Sequence, residues 1–105
     1  METIAIIGGT GDLGYGLALR WAKAGVSVII GSRDEAKAKE AATRVAAAVG
    51  VKVVGMANQD AAAAASIVVL AVPFAGEAAI LKSIKAVLKD CIIVDATVPL
   101  ATSVG

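Results

Sequence analysis

Three glycines near the amino terminus, in Gly9-Thr10-Gly11-Asp12-Leu13-Gly14, stand at the spacing G-x-G-x-x-G. The string follows a run of β-branched residues and opens a helical pattern, the context in which it cradles a dinucleotide pyrophosphate. Gly9 then allows the tight turn out of the strand, Gly11 lets the pyrophosphate approach the backbone, and Gly14 lets the helix lie close to the sheet. The N–H groups of the first helical turn, at the positive end of the helix dipole, would hold the phosphates. A glycine turn needed only for packing is the competing reading.

A second group of candidates is Gly31-Ser32-Arg33 with Lys37 one helical turn beyond. NAD-binding domains place Asp or Glu about 20 residues past the glycines, where it holds the ribose 2′-hydroxyl. Here Gly31 removes the carboxylate that would repel a 2′-phosphate, Ser32 can donate a hydrogen bond, and Arg33 can make a bidentate charged contact. Lys37 adds a mobile point charge. This set favours NADP over NAD, with Asp34 as the residue that would speak for NAD. Ser32-x-x-Glu35 is also a capping box, and capping can coexist with phosphate binding through different lone pairs.

Val72 and Pro73 follow a predicted strand and should border the ribose or nicotinamide end of the cofactor, since open α/β sheets bind ligands beyond the carboxyl ends of their strands. A plain strand stop at the proline explains them equally well. Asp95 reads as a loop or cap residue rather than a catalytic acid. Cys91 reads as an inert buried hydrophobe. Tyr15 is no catalytic tyrosine of the short-chain dehydrogenase kind, because Leu19 stands where the partner lysine would be. No catalytic residue and no metal-ligating cluster is identified.

Composition narrows the classes further. A length of 105 residues is enough for one domain, residues 1–105. Lys and Arg number 10 against 9 Asp and Glu, so there is no surplus of charge for nucleic acid or an anionic membrane. Hydrophobic residues make up 58%, which rules out intrinsic disorder, and aromatics only 3%, which argues against a base-stacking platform. One cysteine excludes a disulfide framework, and the absence of histidine excludes any imidazole base. Despite a mean hydropathy of +0.82, the longest uncharged stretch is interrupted by Ser66 and Pro73. It falls short of the roughly 20 apolar residues a membrane span needs. The amino terminus lacks a basic secretion signal, so a soluble, cytoplasmic protein is expected.

The elements that must position these residues alternate regularly. Nearly continuous apolar runs at residues 3–8, 26–31, 51–55, 66–72 and 91–95 read as strands covered on both faces. The first helix carries Leu13, Leu17, Trp21 and Ala24 as an apolar stripe and closes at Gly25. Further helices are expected at 34–49, stopped by Gly50, at 59–65 after Asn58 as an N-cap, and at 75–89. Glu35–Lys39 and Glu40–Arg44 are favourable pairs on the wet face of the second. The alanine runs at 46–48 and 61–65 read as tight helix–sheet contacts. The alternation predicts an α/β, doubly wound (Rossmann) parallel sheet of five strands in the order 3-2-1-4-5.

Ile6-Ile7-Gly8-Gly9-Thr10-Gly11-Asp12-Leu13-Gly14, Gly16-Leu17-Ala18-Leu19-Arg20, Ala24-Gly25 and Ile29-Ile30-Gly31-Ser32-Arg33 together resemble the amino-terminal part of deazaflavin-dependent NADP oxidoreductases. The similarity runs on through Asn58, Ala61-Ala62, Val72-Pro73 and Val98-Pro99. The resemblance implies hydride transfer between NADPH and the deazaflavin coenzyme F-420 (F420). It implies NADP contacts at Thr10, Asp12 and Leu13 for phosphates and ribose, at Ser32, Arg33 and Lys37 for the 2′-phosphate, and at Val72 and Pro73 near the nicotinamide. The family often has Asn where this chain has Asp12. Members continue with a second portion that completes the deazaflavin pocket and usually a homodimer. The 105 residues are therefore expected to bind NADP(H) with little turnover of their own. An NADP-dependent β-hydroxyacid or imine reductase domain, or a non-enzymatic NADP(H) sensor, would carry the same Gly-Ser-Arg segment.

Overall fold

The computed structural model describes residues 3–8, 11–71, 82, 84 and 92–95. Its strands are β1 (Thr3–Ile7), β2 (Ser27–Ser32), β3 (Val54–Ala57), β4 (Ile67–Leu70) and β5 (Ile92–Asp95). They form one sheet in the order β3-β2-β1-β4-β5, parallel at every junction, as the alternation predicts. Three helices are described: α1 (Asp12–Lys23), α2 (Glu35–Val49) and α3 (Asn58–Ala64). Of the expected helix at 75–89, only Lys82 and Ile84 are described. Both are helical, and Ile84 is fully buried.

The continuous apolar strands have two covered faces. Ala5, Ile7, Ile29, Val68 and Leu70 pack with Ala61 and Ala62 of α3 and with Ile84. Ile6, Val28 and Ile30 pack on the other face against Ala18 and Ala22 of α1 and Ala38, Ala41, Ala42 and Val45 of α2. Alternate residues of one strand therefore enter different cores, as a pleat of period two requires.

Small residues make these contacts, and this corrects two expectations. On α1 the buried positions are Gly14, Ala18 and Ala22, one residue away from the expected stripe, and Leu13 is 43% exposed. Leu17 and Trp21 are only partly buried at the margin of the core. A helix that lies close to a sheet presents its smallest residues to it, and larger ones flank the contact. On α2 the run 46–48 is half-buried to exposed, and the tight contact is made by Ala38, Ala41 and Ala42 instead. The run beginning at Ala61 does contact the sheet through Ala61 and Ala62.

Both long helices stop at the glycines the sequence marks. Gly25 has φ of 90°, its N–H donates to the Ala22 carbonyl at 3.0 Å, and Val26 N–H donates to Trp21 at 2.9 Å. These are the two bonds of a Schellman termination, which needs a left-handed residue at this point. Gly50 ends α2 in the same left-handed region. The third strand starts at Val54 rather than 51, because Val51 and Lys52 are exposed residues bridging from the end of α2 to the sheet. Glu35 and Lys39 form the expected pair at 3.8 Å. The Glu40–Arg44 pair is not formed; Arg44 lies over the Tyr15 ring, 4.9 Å from its centroid, linking α2 to α1.

A Cβ added to Gly55 would collide with the backbone of Ala38 and Lys39, whereas one added to Gly16 would meet nothing within 4 Å. Gly55→Ala is expected to lower stability by about 1–3 kcal/mol, since backbone cannot rotate aside. Gly16→Ala is expected to raise it by about 0.5–1 kcal/mol through helix propensity. Urea unfolding midpoints of the two variants read both signs.

Candidate functional site

The described candidates gather where the strands end and α1 and α2 begin. Beyond Ile7 the chain turns at Gly8, whose φ is 78°. The sequence assigns the tight turn to Gly9, which lies outside the described residues together with Thr10; among those described, Gly8 takes a left-handed conformation. Gly8 N–H donates to the Gly31 carbonyl at 3.0 Å, tying the exit of β1 to the end of β2. Gly11 N–H donates back to the Gly8 carbonyl at 3.3 Å.

Gly11 is the N-cap of α1, with extended backbone and no side-chain cap bond. The first bond of the helix runs from Tyr15 N–H to the Gly11 carbonyl at 2.8 Å. The N–H groups of Asp12, Leu13 and Gly14 thus have no carbonyl of their own helix to bond. Among the described residues, a Cβ on Gly11 would meet the Gly8 carbonyl oxygen at an ordinary 3.8 Å and nothing closer. No close packing with those residues accounts for this glycine, and the free amides beside it suit an anion. Gly14 is buried, as the close-packing task requires.

The start of α2 is built differently. Its N-cap is Asp34, whose Oδ1 accepts from Ala36 N–H at 3.0 Å and Lys37 N–H at 3.4 Å. Ser32 is not the cap, so the Ser32–Glu35 capping box does not form. Ser32 is buried, and its Oγ accepts from Asp34 N–H at 3.2 Å, which leaves its hydroxyl hydrogen available to donate. Arg33 and Lys37 are exposed, and neither forms an ion pair among the described residues. Gly31 has a packing task as well. A Cβ there would lie 2.9 Å from Asn58 Oδ1, 3.1 Å from Ile7 Cδ1 and 3.2 Å from Ala61 Cβ. Position 31 therefore meets Asn58 and Ala61 of α3, and a side chain there would displace the Asn58 carboxamide.

Val72 and Pro73 lie outside the described residues, as does Cys91. Ala71 just before them is buried, and its N–H donates to the Ile7 carbonyl at 2.9 Å, so β1 and β4 remain joined up to the edge. Asp95 is the last residue of β5, opposite Leu70, and not a loop residue. Asn58 is not a cap either: α3 begins at Asn58, and its N-cap is Ala57 with no side-chain bond.

Residues 3–99 match the family described as NADP oxidoreductase, coenzyme F420-dependent. The chain belongs to this family. It is 50% identical to the F420-dependent NADP reductase of Methanothermobacter thermautotrophicus, over 97% of this chain and 45% of that protein. It is 43% identical to the F420-dependent NADP reductase of Methanocaldococcus jannaschii, over 97% of this chain and 48% of the relative. It spans about half the length of the curated relatives it matches. Among solved structures, a minor L-lactate dehydrogenase from Enterococcus mundtii superposes with a TM-score of 0.78 at 20% identity, covering 93% of this chain and 38% of that one. At that identity the likeness concerns the fold alone.

Asp34→Ala removes both cap bonds and is expected to cost about 1 kcal/mol of stability. Ser32→Ala, which removes one bond outside the helix, should cost less. Thermal unfolding of the two variants orders them.

Proposed function

We propose that this chain is the NADP(H)-binding domain of an oxidoreductase that moves a hydride between NADPH and coenzyme F420. The observation that carries the reading is the contrast between the two helix starts at one sheet edge. α2 is closed by its own Asp34 carboxylate, while α1 has neither a capping side chain nor an obstruction at Gly11. A diphosphate fits the α1 start, with Gly9, Thr10, Gly11, Asp12, Leu13 and Gly14 around it. For Asp12 the contact offered is the backbone N–H, since a carboxylate would repel the phosphates.

The 2′-phosphate falls to Ser32, Arg33 and Lys37, a hydroxyl and two cations with no ion-pair partner among the described residues. Asp34 Oδ1 accepts from the α2 amides, a capping duty that accounts for this carboxylate without a ribose 2′-hydroxyl. Val72 and Pro73 are assigned to the nicotinamide side by their place after β4. When bound, the nicotinamide supplies or accepts the hydride. The chain's residues hold and orient it, and no proton donor is required of them. The deazaflavin pocket is assigned to the part of the relatives that these 105 residues do not match. A homo-oligomeric full-length enzyme in the cytoplasm completes the reading; no helix among the described residues is long and apolar enough to cross a membrane.

NADPH is expected to bind at least about tenfold tighter than NADH, because a bidentate charged contact contributes roughly 1.5–3 kcal/mol. Arg33→Ala should erase most of that preference in titrations of both nucleotides. Equal affinities in the unmodified protein would overturn the NADP assignment. Gly11→Ala should weaken NADPH about tenfold or more by placing a Cβ where phosphate approaches, with little change in the melting temperature. In steady-state assays with NADPH and F420, the 105 residues alone should turn over far more slowly than the Methanothermobacter thermautotrophicus relative. Comparable rates would place the acceptor pocket within this chain.

A further inference from the structure

Two of the described buried side chains are polar, Ser32 and Asn58. Ser32 is engaged by Asp34 N–H. Asn58 is 5% exposed, and its Oδ1 has no hydrogen-bond partner among the described residues. A buried acceptor without a donor is destabilising, and native proteins keep few of them. Neither local duty of an Asn at this point explains it, because α3 takes its cap from Ala57 and no side-chain bond closes that helix.

Its location is more informative. Asn58 directly follows Ala57, the residue of β3 opposite Ser32. Its Oδ1 stands against Gly31, whose carbonyl holds Gly8 at the exit of β1. The carboxamide thus lies behind the sheet edge between the α1 start and the Ser32–Arg33 corner. The 5′-diphosphate and 2′-phosphate of NADP are carried by one ribose. If those two sites hold them, the ribose and its adenine come to rest over this stretch of the edge.

We propose that Asn58 is a binding residue for the adenosine half of the dinucleotide, its Oδ1 accepting from the ribose 3′-hydroxyl or the adenine 6-amino group. This rests on the NADP reading above. Gly31 is part of the same device: without a Cβ it leaves the Asn58 carboxamide space at this end of β2. The unmet acceptor in the free chain is the cost of holding a hydrogen-bonding group ready, as functional sites do.

Asn58→Leu keeps the branched shape and removes the acceptor. It should weaken both NADPH and 2′,5′-ADP about three- to tenfold, the worth of one hydrogen bond. The NADPH-to-NADH preference should stay unchanged, and the melting temperature of the free protein should hold or rise. Asn58→Ala serves the same measurement without bulk against Gly31. The hypoxanthine analogue of NADPH, which lacks the 6-amino group, separates the two donors: if the amino group is the donor, the analogue loses affinity for the unmodified protein and is insensitive to Asn58→Leu. If the hydroxyl is the donor, the analogue remains sensitive. Unchanged affinities for both ligands with a lowered melting temperature would show that Asn58 only packs, and would overturn the inference while leaving the NADP reading intact. Failure of the unmodified protein to bind either NADPH or 2′,5′-ADP would overturn both.

Discussion

Gly55 lies so close beneath the first turn of α2 that even one methyl group would strike the Ala38 carbonyl, and the same closeness recurs around the sheet. Ala18 and Ala22 bring α1 down on one face, and Ala61 brings α3 against Gly31 on the other. A parallel sheet needs both faces covered. The layers are held at backbone distance by residues with almost no side chain. That spacing fixes where the helices begin relative to the strand ends, and the candidate site consists of those beginnings.

The consequence is a division between two helix starts that are otherwise equivalent. Each has four amide groups to satisfy. In α2 the chain satisfies part of the demand with Asp34, whose carboxylate adds a negative charge at the positive end of the dipole. In α1 the cap is glycine and nothing is offered. An anion gains from the second and is redundant at the first. The cations beside α2, Arg33 and Lys37, therefore have to act as free side chains, not through that helix's amides. One edge thus offers an anion two kinds of group, backbone amides at α1 and cationic side chains at the end of β2.

Much of this was legible in the residues. Unbroken β-branched runs gave covered strands, and the alternation with helical segments gave the strand order. Gly25 and Gly50 marked the helix ends, because few other residues accept a left-handed turn there. What escaped were questions of direction. The stripe Leu13-Leu17-Trp21 looks like the buried face of α1 by hydrophobicity, yet the buried positions are the small residues Gly14, Ala18 and Ala22. Ser32 and Asp34 are both competent caps, and only the backbone path decides that Asp34 is the one. The sequence reads Gly31 for ligand charge alone and does not show that its missing Cβ also makes room for Asn58 and Ala61. Which way a residue faces at a strand end depends on where the pleat stops, and composition does not carry that.

The absence of histidine can be weighed in the same terms. A carbonyl reductase must deliver a proton with its hydride and needs a positioned acid. Transfer of a hydride between two stacked rings needs distance and angle above all, held near 3–3.5 Å. Backbone amides at the α1 start, a serine, two cations and a carboxamide oxygen are groups that hold and orient a ligand rather than exchange protons with it. Rigid backbone groups on a closely packed sheet lose less entropy on holding a ligand than loops would. The chemistry asked of such a domain is orientation, and the alanine-lined layers that seem merely economical are what keep the orienting groups from moving.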